Sequence, residues 1–227
     1  SRDIYDQLDE IMGKSLTNLI FKGEANELAM TENSQPSIMA TSVAIIAALK
    51  ESGRIDEHSF HCVAGHSLGE YSALVANKSI NFRESTQLLK IRSKAMQDSM
   101  PVGTGGMAAI IGGTEEEISA IISDKSSEGK VFIANDNAVG QVVISGEMKA
   151  IDYIVANSKK LGFKKAIKLS VSAPFHSEFM MKASMTLQNE IDKFYFKAFA
   201  VPLYSNVTSL PCDEKEIKQI LVQQIVK

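Results

Sequence analysis

The sequence holds only two cysteines, Cys62 and Cys212. Two thiols cannot build a disulfide framework, and no Cys/His group has the spacing of a zinc site. A reducing compartment, the cytoplasm, is therefore expected, and no metal. An excess of one charge is also lacking. Lys and Arg number 24 against 27 Asp and Glu, a net charge of −3, and the basic residues are spread along the chain. That argues against a surface built to neutralise phosphate backbones, so no nucleic-acid partner is expected. The longest near-apolar run, Ala40 to Leu49, is short and broken by Thr41 and Ser42, too little to cross a bilayer. The opening Ser1-Arg2-Asp3-Ile4-Tyr5-Asp6 is polar and charged, unlike a secretory signal. It also lacks an initiator Met, so the chain is expected to be the middle of a longer one. No linker, long charge run or low-complexity tract divides it.

What is present suffices for a core: 227 residues, 44% hydrophobic and 22% charged, the size of one large domain or two modest ones. Apolar residues at Ile4, Leu8 and Ile11 have helical spacing. Asn33-Ser34 ahead of Pro36 predicts the start of a helix that runs to Glu51 and stops at Gly53. It is apolar on most sides between Ile38 and Leu49, so deep burial is expected. His61 to Gly65 reads as a buried strand and Leu68 to Ala76 as a helix, which puts Ser67 at the junction. A longer helix follows from Arg83 to Met100, with Leu88, Leu89, Ile91, Ala95 and Met96 facing inward.

Beyond the Gly-rich stretch 103–106 the element types form a compact series. Met107 to Ile111 is a strand. Thr114 and Glu117 have capping-box spacing and open a helix to about Ser126. Val131 to Ala134 and Gln141 to Ser145 are strands around the turn-rich stretch 135–140. A helix from Lys149 to Leu161 and a strand from Lys164 to Leu169 complete βαββαβ, the order of a ferredoxin-like subdomain. It is placed at residues 104–170, with 1–103 and 171–227 forming the flanking α/β part. A helix from Ser177 to Phe196, a strand from Pro202 to Ser205 and an amphipathic helix from Asp213 to the end close the chain.

Gly65-His66-Ser67-Leu68-Gly69 fits G-x-S-x-G, the nucleophile elbow. A strand that turns sharply into a helix holds a Ser hydroxyl at its apex, and the two glycines remove side chains expected to clash there. The helix start offers unpaired N–H groups, so the Leu68 N–H can face an oxyanion. A Ser nucleophile needs a base. Of the four histidines, His66 adjoins Ser67 and points apart from it in such a turn. His58 and His61 lie toward the wrong end of the strand. That favours His176, in a loop ahead of a helix, where the competing reading is a capping or solvent-facing His. No acid stands out as a third member: Asp98, Asp124, Asp136 and Asp152 follow Ser67 in the right order, but two of them fall inside expected helices. A backbone carbonyl can hold the far imidazole N–H instead. Arg92 sits mid-helix near the apolar side. Its pattern alone favours a side chain that snorkels to solvent. The alternative is a guanidinium aimed into a pocket, able to clamp a carboxylate.

Several stretches together resemble the malonyl-CoA:acyl-carrier-protein transacylase family of bacterial fatty acid synthesis. They are Gln35-Pro36-Ser37-Ile38, Ala64 to Leu74 around the elbow, Arg92 with Met96-Gln97, Gly105 to Ile110, Gly140 to Gly146, and Pro174-Phe175-His176-Ser177. They stand in family order across essentially the whole chain. The resemblance implies an α/β fold, an α/β-hydrolase-like large subdomain with an inserted ferredoxin-like one. It implies Ser67 as the acyl-accepting nucleophile, His176 as its base steered by a carbonyl, and Arg92 as partner of the malonate carboxylate. The Leu68 N–H would be half of the oxyanion hole. Phe175 resembles the malonyl-selective form of its loop, and His66, Met96 and Asn137 are expected among the substrate-binding residues.

The implied reaction moves a malonyl group from malonyl-CoA through a malonyl-serine to the phosphopantetheine thiol of acyl carrier protein. No bound cofactor is expected, coenzyme A entering only as the substrate's thioester, and the protein is expected to be a monomer. Two departures bear on this. The family's opening Gly-Gln-Gly-Ser-Gln motif, whose first Gln helps form the oxyanion hole, is not in this sequence. Neither is the closing Val-Gly-Pro-Gly-type segment near the carbonyl that orients the His; either the sequence is clipped at both ends, or it is a fragment that lacks half of the oxyanion hole and the His support. The competing readings are a serine hydrolase or thioesterase, and a non-catalytic fragment that binds the carrier protein.

Overall fold

A computed structural model describes residues 2–124 and 128–227. In chain order its elements are α1 (Arg2–Met12), α2 (Leu16–Lys22), α3 (Ala25–Leu28), α4 (Thr31–Glu51), β1 (Val63–Ala64), α5 (Gly69–Ala76) and α6 (Phe82–Gln97). There follow β2 (Gly105–Ile111), α7 (Glu115–Asp124), β3 (Val131–Ala138), β4 (Gln141–Glu147), α8 (Met148–Asn157) and β5 (Lys165–Lys168). The chain closes with α9 (Met181–Ile191), β6 (Leu203–Tyr204) and α10 (Ile217–Gln223). The class is α/β with one parallel and one antiparallel sheet. Two compact units divide the chain: one runs to Lys94 and includes Met185–Gln224, and the other holds Ala95–Ser184 with Ile225–Lys227. No helix among the described residues is long and apolar enough to cross a membrane.

In the first unit β1 and β6 pair in parallel, Val63 against Leu203 and Ala64 against Tyr204. The expected strand at His61 to Gly65 thus contracts to two paired residues. Helix α4 starts at Thr31, ahead of the expected Asn33. Asn33 is instead a tether: its amide donates to the Glu27 carbonyl at 2.8 Å and accepts from the Lys14 ammonium at 2.5 Å. Only one face of α4 is deeply buried, through Met39, Ala40, Val43 and Ala44, while Ile38 and Ile45 are half exposed. Deep burial on most sides was the expectation, because all-round apolarity does not say which face finds a neighbour. Helix α6 buries Leu88, Arg92 and Met96, four residues apart on one stripe, with Leu89 beside them. Arg92 therefore lies in the middle of the buried face.

In the second unit β2, β3, β4 and β5 form an antiparallel sheet ordered β3-β4-β2-β5. Alternation along the strands splits the apolar residues between its two faces. Ala108, Ile110, Val142 and Ile144 pack with Ile118 of α7, Ile151 and Ile154 of α8, and Phe163. Met107, Ala109, Ala134 and Val143 pack on the other face with Leu169, Val171 and Phe175. The capping box of α7 is present, with the Glu117 N–H on Thr114 Oγ1 at 3.3 Å and the Thr114 N–H on Glu117 Oε2 at 3.0 Å. The expected end of that helix at Ser126 lies outside the described residues. Strand β3 continues through the stretch that composition marks as a turn. Asn135 and Asp136 pair with Val143 and Val142 after a register shift, so a bulge absorbs residues that favour turns.

Toward the carboxyl end, the helix expected over Ser177 to Phe196 is a 3-10 turn at Glu178–Met180 followed by α9, which stops at Ile191. Helix α10 starts at Ile217 rather than Asp213. The Asp213 carboxylate instead accepts from the Lys215 N–H at 2.9 Å, a local bond that competes with helix.

Ile144 is fully buried, whereas Val139 at the β3–β4 turn is fully exposed. Ile144→Ala is expected to lower unfolding stability by about 2–5 kcal/mol, and Val139→Ala by no more than about 0.5 kcal/mol. Urea unfolding midpoints check this, and equal shifts would contradict the packing described.

Candidate active site

The elbow is built by backbone crowding. A Cβ on Gly65 would lie 2.0 Å from both the carbon and oxygen of the Gly69 carbonyl and 2.3 Å from the Glu70 nitrogen. Only glycine fits where the chain doubles back so tightly. The second glycine is different from the expectation: a Cβ on Gly69 would meet nothing within 4 Å, so only Gly65 is sterically required. Between them Ser67 is held at φ 51°, a left-handed backbone that a non-glycine residue adopts only when its surroundings enforce it.

Those surroundings include a set of hydrogen bonds on Ser67. Its N–H donates to Asn206 Oδ1 at 2.7 Å. Its carbonyl accepts from the Glu70 N–H at 3.1 Å and from Gln224 Nε2 at 3.1 Å. Its Oγ accepts from Arg92 Nη2 at 3.0 Å. The outer partners are linked to one another. Glu70 Oε1 accepts from the Asn206 N–H at 3.1 Å, and Glu70 Oε2 accepts from Gln224 Nε2. Gln224 Oε1 accepts from Arg92 Nη2 at 2.9 Å, and Gln35 Oε1 accepts from Arg92 Nη1. The Leu68 N–H, next to the apex, has no hydrogen-bond partner among the described residues.

Arg92 is wholly buried, which corrects the expectation of a snorkelling side chain. Burial presses its pKa down, opposed by Tyr71 and Glu70, but a guanidinium stays charged in a protein. Its Cζ lies 5.6 Å from the centre of the Tyr71 ring, within cation–π range, and its Nε has no partner among the described residues. Glu70 is also fully buried. Desolvation pushes its carboxyl up to about 7, against the opposing pull of the Asn206 N–H, the Gln224 amide and the Arg92 charge. Burial likewise takes the Tyr71 phenol up to about 12.

Beside the elbow, at the carboxyl ends of β1 and β6, an open cleft of about 430 Å³ is lined by Gly65, His66, Tyr204, Ser205, Asn206 and Ser209. Ligands of parallel α/β sheets enter at that end of the strands. His66 is exposed there. Of the residues expected from sequence, Ser67, Arg92, Leu68 and His66 thus fall in the first unit, and the structure joins Ser67 to Arg92 directly.

His176, Phe175, Met96 and Asn137 belong to the second unit. His176 is buried, at φ 54°. Its Nδ1 lies 3.1 Å from the main-chain oxygen of Lys227. A main-chain oxygen thus lies within hydrogen-bond reach of the imidazole, and an Nδ1 proton directed at it makes Nε2 the acceptor nitrogen. The loop is braced by Ser177 Oγ donating to the Pro174 carbonyl at 2.6 Å. Phe175 packs against the sheet face that carries Met107 and Val143. Met96 is buried one helical turn beyond Arg92, and Asn137 is exposed near the end of β3. Four residues of the network were not expected: Gln35, Glu70, Asn206 and Gln224. Gln35 and Glu70 lie in motif stretches. Asn206 and Gln224 bond to Ser67 from 139 and 157 residues away, a distance no local pattern reports.

The raised Glu70 pKa has a consequence with a definite sign. The folded chain keeps a proton that the unfolded chain releases near 4.5, so folding is favoured more at low pH. Stability is expected to fall as pH rises from about 4.5 to about 7, by at most about 1.4 kcal/mol per pH unit, and to level off above. The E70Q variant should lose that slope. Denaturant titrations across this window check it, and an unchanged slope in E70Q would contradict the assignment.

Residues 2–227 match the family described as the acyl transferase domain. The malonyl CoA-acyl carrier protein transacylase of Bacillus subtilis is 39% identical over 227 residues, which are 99% of this chain and 70% of that protein. An acyl-carrier-protein S-malonyltransferase structure from Bartonella henselae superposes with a TM-score of 0.92 at 41% identity, covering 99% of this chain and 72% of that one. A malonyl-transacylase solved in complex with its type II PKS acyl-carrier protein gives a TM-score of 0.90 at 34% identity, over 98% of this chain and 72% of that one. The chain belongs to the acyl transferase domain family, among the malonyl CoA-acyl carrier protein transacylases.

Proposed function

We propose that the protein transfers a malonyl group from coenzyme A to acyl carrier protein through an ester on Ser67. The observation that carries this reading is the 3.0 Å contact between Ser67 Oγ and the wholly buried Arg92 guanidinium. A hydrolase for neutral esters gains nothing from a buried cation beside its nucleophile. A site for an acyl group that ends in a carboxylate does, because the guanidinium fork can receive both oxygens.

In the first half-reaction His176 Nε2 takes the proton of Ser67 Oγ as that oxygen attacks the thioester carbonyl carbon. The Leu68 N–H faces the developing oxyanion. Collapse breaks the C–S bond, the imidazolium protonates the departing sulfur, and coenzyme A leaves. In the second half-reaction His176 removes the proton of the carrier's phosphopantetheine thiol, the thiolate attacks the ester, and the proton returns to Ser67 Oγ. The Lys227 main-chain oxygen keeps the imidazole in the tautomer that both halves need. Coenzyme A serves as the substrate's carrier, and no resident cofactor enters the scheme. His66, Met96, Phe175 and Asn137 are assigned to substrate contact, with Phe175 limiting room beside the acyl group.

The finer architecture in this reading is a hydrolase-like part, residues 1–103 and 171–227, around a ferredoxin-like part, residues 104–170. The βαββαβ order and the sheet order β3-β4-β2-β5 support it. The scheme is that of a monomer in the cytoplasm, where coenzyme A thioesters and carrier proteins meet.

Incubation with malonyl-CoA is expected to add one malonyl group to the parent protein and none to Ser67→Ala, read by intact-protein mass spectrometry. Absence of the adduct from the parent would overturn the proposal, and release of free malonate in place of transfer to the carrier would favour a hydrolase. Arg92→Ala is expected to lower the malonyl-over-acetyl preference by about tenfold or more, the worth of a bond between charged groups. An unchanged preference would remove Arg92 from this role.

A further inference from the structure

The network around Ser67 contains one ionisable group that the reaction scheme leaves unused, the buried carboxyl of Glu70. Its two oxygens do different things. Oε1 accepts from the Asn206 N–H, and Oε2 accepts from Gln224 Nε2. The second bond fixes which way round the Gln224 amide sits. With its NH2 held by the carboxylate, its Oε1 is turned to Arg92 Nη2 at 2.9 Å. The reverse orientation would set an NH2 against the guanidinium, donor against donor, and that contact repels. The same Arg92 nitrogen reaches Ser67 Oγ at 3.0 Å. The Glu70 carboxyl bonds to Asn206 and Gln224 and not to Ser67 Oγ, yet it sets the acceptor that aims the guanidinium.

We propose that Glu70 is a positioning residue for acyl selectivity: by orienting the Gln224 amide it aims the Arg92 guanidinium at Ser67, and so at the free carboxylate of an acyl group carried there. The proposal rests on the malonyl-transfer reading and deepens it. Substituting Glu70 by Gln isolates the effect. The E70Q side chain keeps an oxygen to accept the Asn206 N–H, so the clamp on the Ser67 N–H persists. Its NH2 then faces Gln224 Nε2, donor against donor. Gln224 has to turn over or withdraw, and Arg92 loses its acceptor.

The test is the ratio of kcat/KM for malonyl-CoA to that for acetyl-CoA in the parent, E70Q, Q224M and the double variant, with thermal melts as a folding control. E70Q and Q224M are each expected to lower the ratio by about tenfold or more, the loss that follows when a charged group's hydrogen bond is broken. The double variant is expected to match Q224M alone, because Glu70 acts through Gln224. A ratio within twofold of the parent in E70Q overturns the proposal, and so do single losses that multiply in the double variant. Should E70Q fail to fold, E70D decides, since its shorter side chain leaves the Gln224 amide without its acceptor: a tenfold loss supports the relay, and an unchanged ratio removes it. A parent protein that forms no malonyl-serine would instead refute the transfer reading itself, so the two failures are told apart.

Discussion

A positive charge sealed inside the protein governs the site. Arg92 has no exposed surface, and a charge taken out of water costs several kcal/mol unless its surroundings replace the lost hydration. The replacement is specific. Gln35, Gln224 and Ser67 each present an oxygen to the guanidinium, and the Glu70 carboxyl holds the Gln224 amide from behind. Elements far apart in sequence are therefore tied to one point: α4 through Gln35, the elbow through Ser67 and Glu70, α6 through Arg92 itself, and the end of α10 through Gln224. Placed mid-stripe on α6 between Leu88 and Met96, Arg92 occupies a position where a leucine would pack. A cation there makes sense when the acyl group carried on Ser67 brings an anion to it.

The strained elbow follows from the same network. A Ser at φ 51° stores strain of about 1–3 kcal/mol, and both of its main-chain polar groups are held from outside the turn. Gln224 belongs to both sets of bonds, holding the Ser67 carbonyl with its NH2 and accepting from Arg92 with its oxygen. The nucleophile's backbone and the guanidinium are thus coupled through one amide. His176 shows the same arrangement in the other unit, with a left-handed backbone and a main-chain oxygen on Nδ1.

What sequence made legible was local. The elbow, the capping box at Thr114 and the βαββαβ series each depend on residues within a few positions of one another, so spacing alone reveals them. The stripe of Leu88, Leu89 and Met96 placed Arg92 beside the core but could not say whether a long side chain would turn outward. Two outward-looking stretches behaved otherwise. Asn135 and Asp136 read as a turn and are paired strand, because ladder bonds to Val142 and Val143 outweigh local preference. The α4 residues Ile38 and Ile45 read as core and are half exposed. The network partners Asn206 and Gln224 had no local signature at all. Each is an ordinary polar residue at the end of an element, and only the fold brings it to Ser67.

The most direct measurement is a rapid-mixing burst of free coenzyme A in the absence of any carrier protein, with malonyl-CoA and acetyl-CoA compared at equal concentration. One equivalent of coenzyme A per chain is expected in the malonyl burst, with no matching burst from acetyl-CoA on the same time scale. Equal bursts from the two thioesters would contradict the claim that the buried Arg92 charge exists to receive the acyl carboxylate at Ser67.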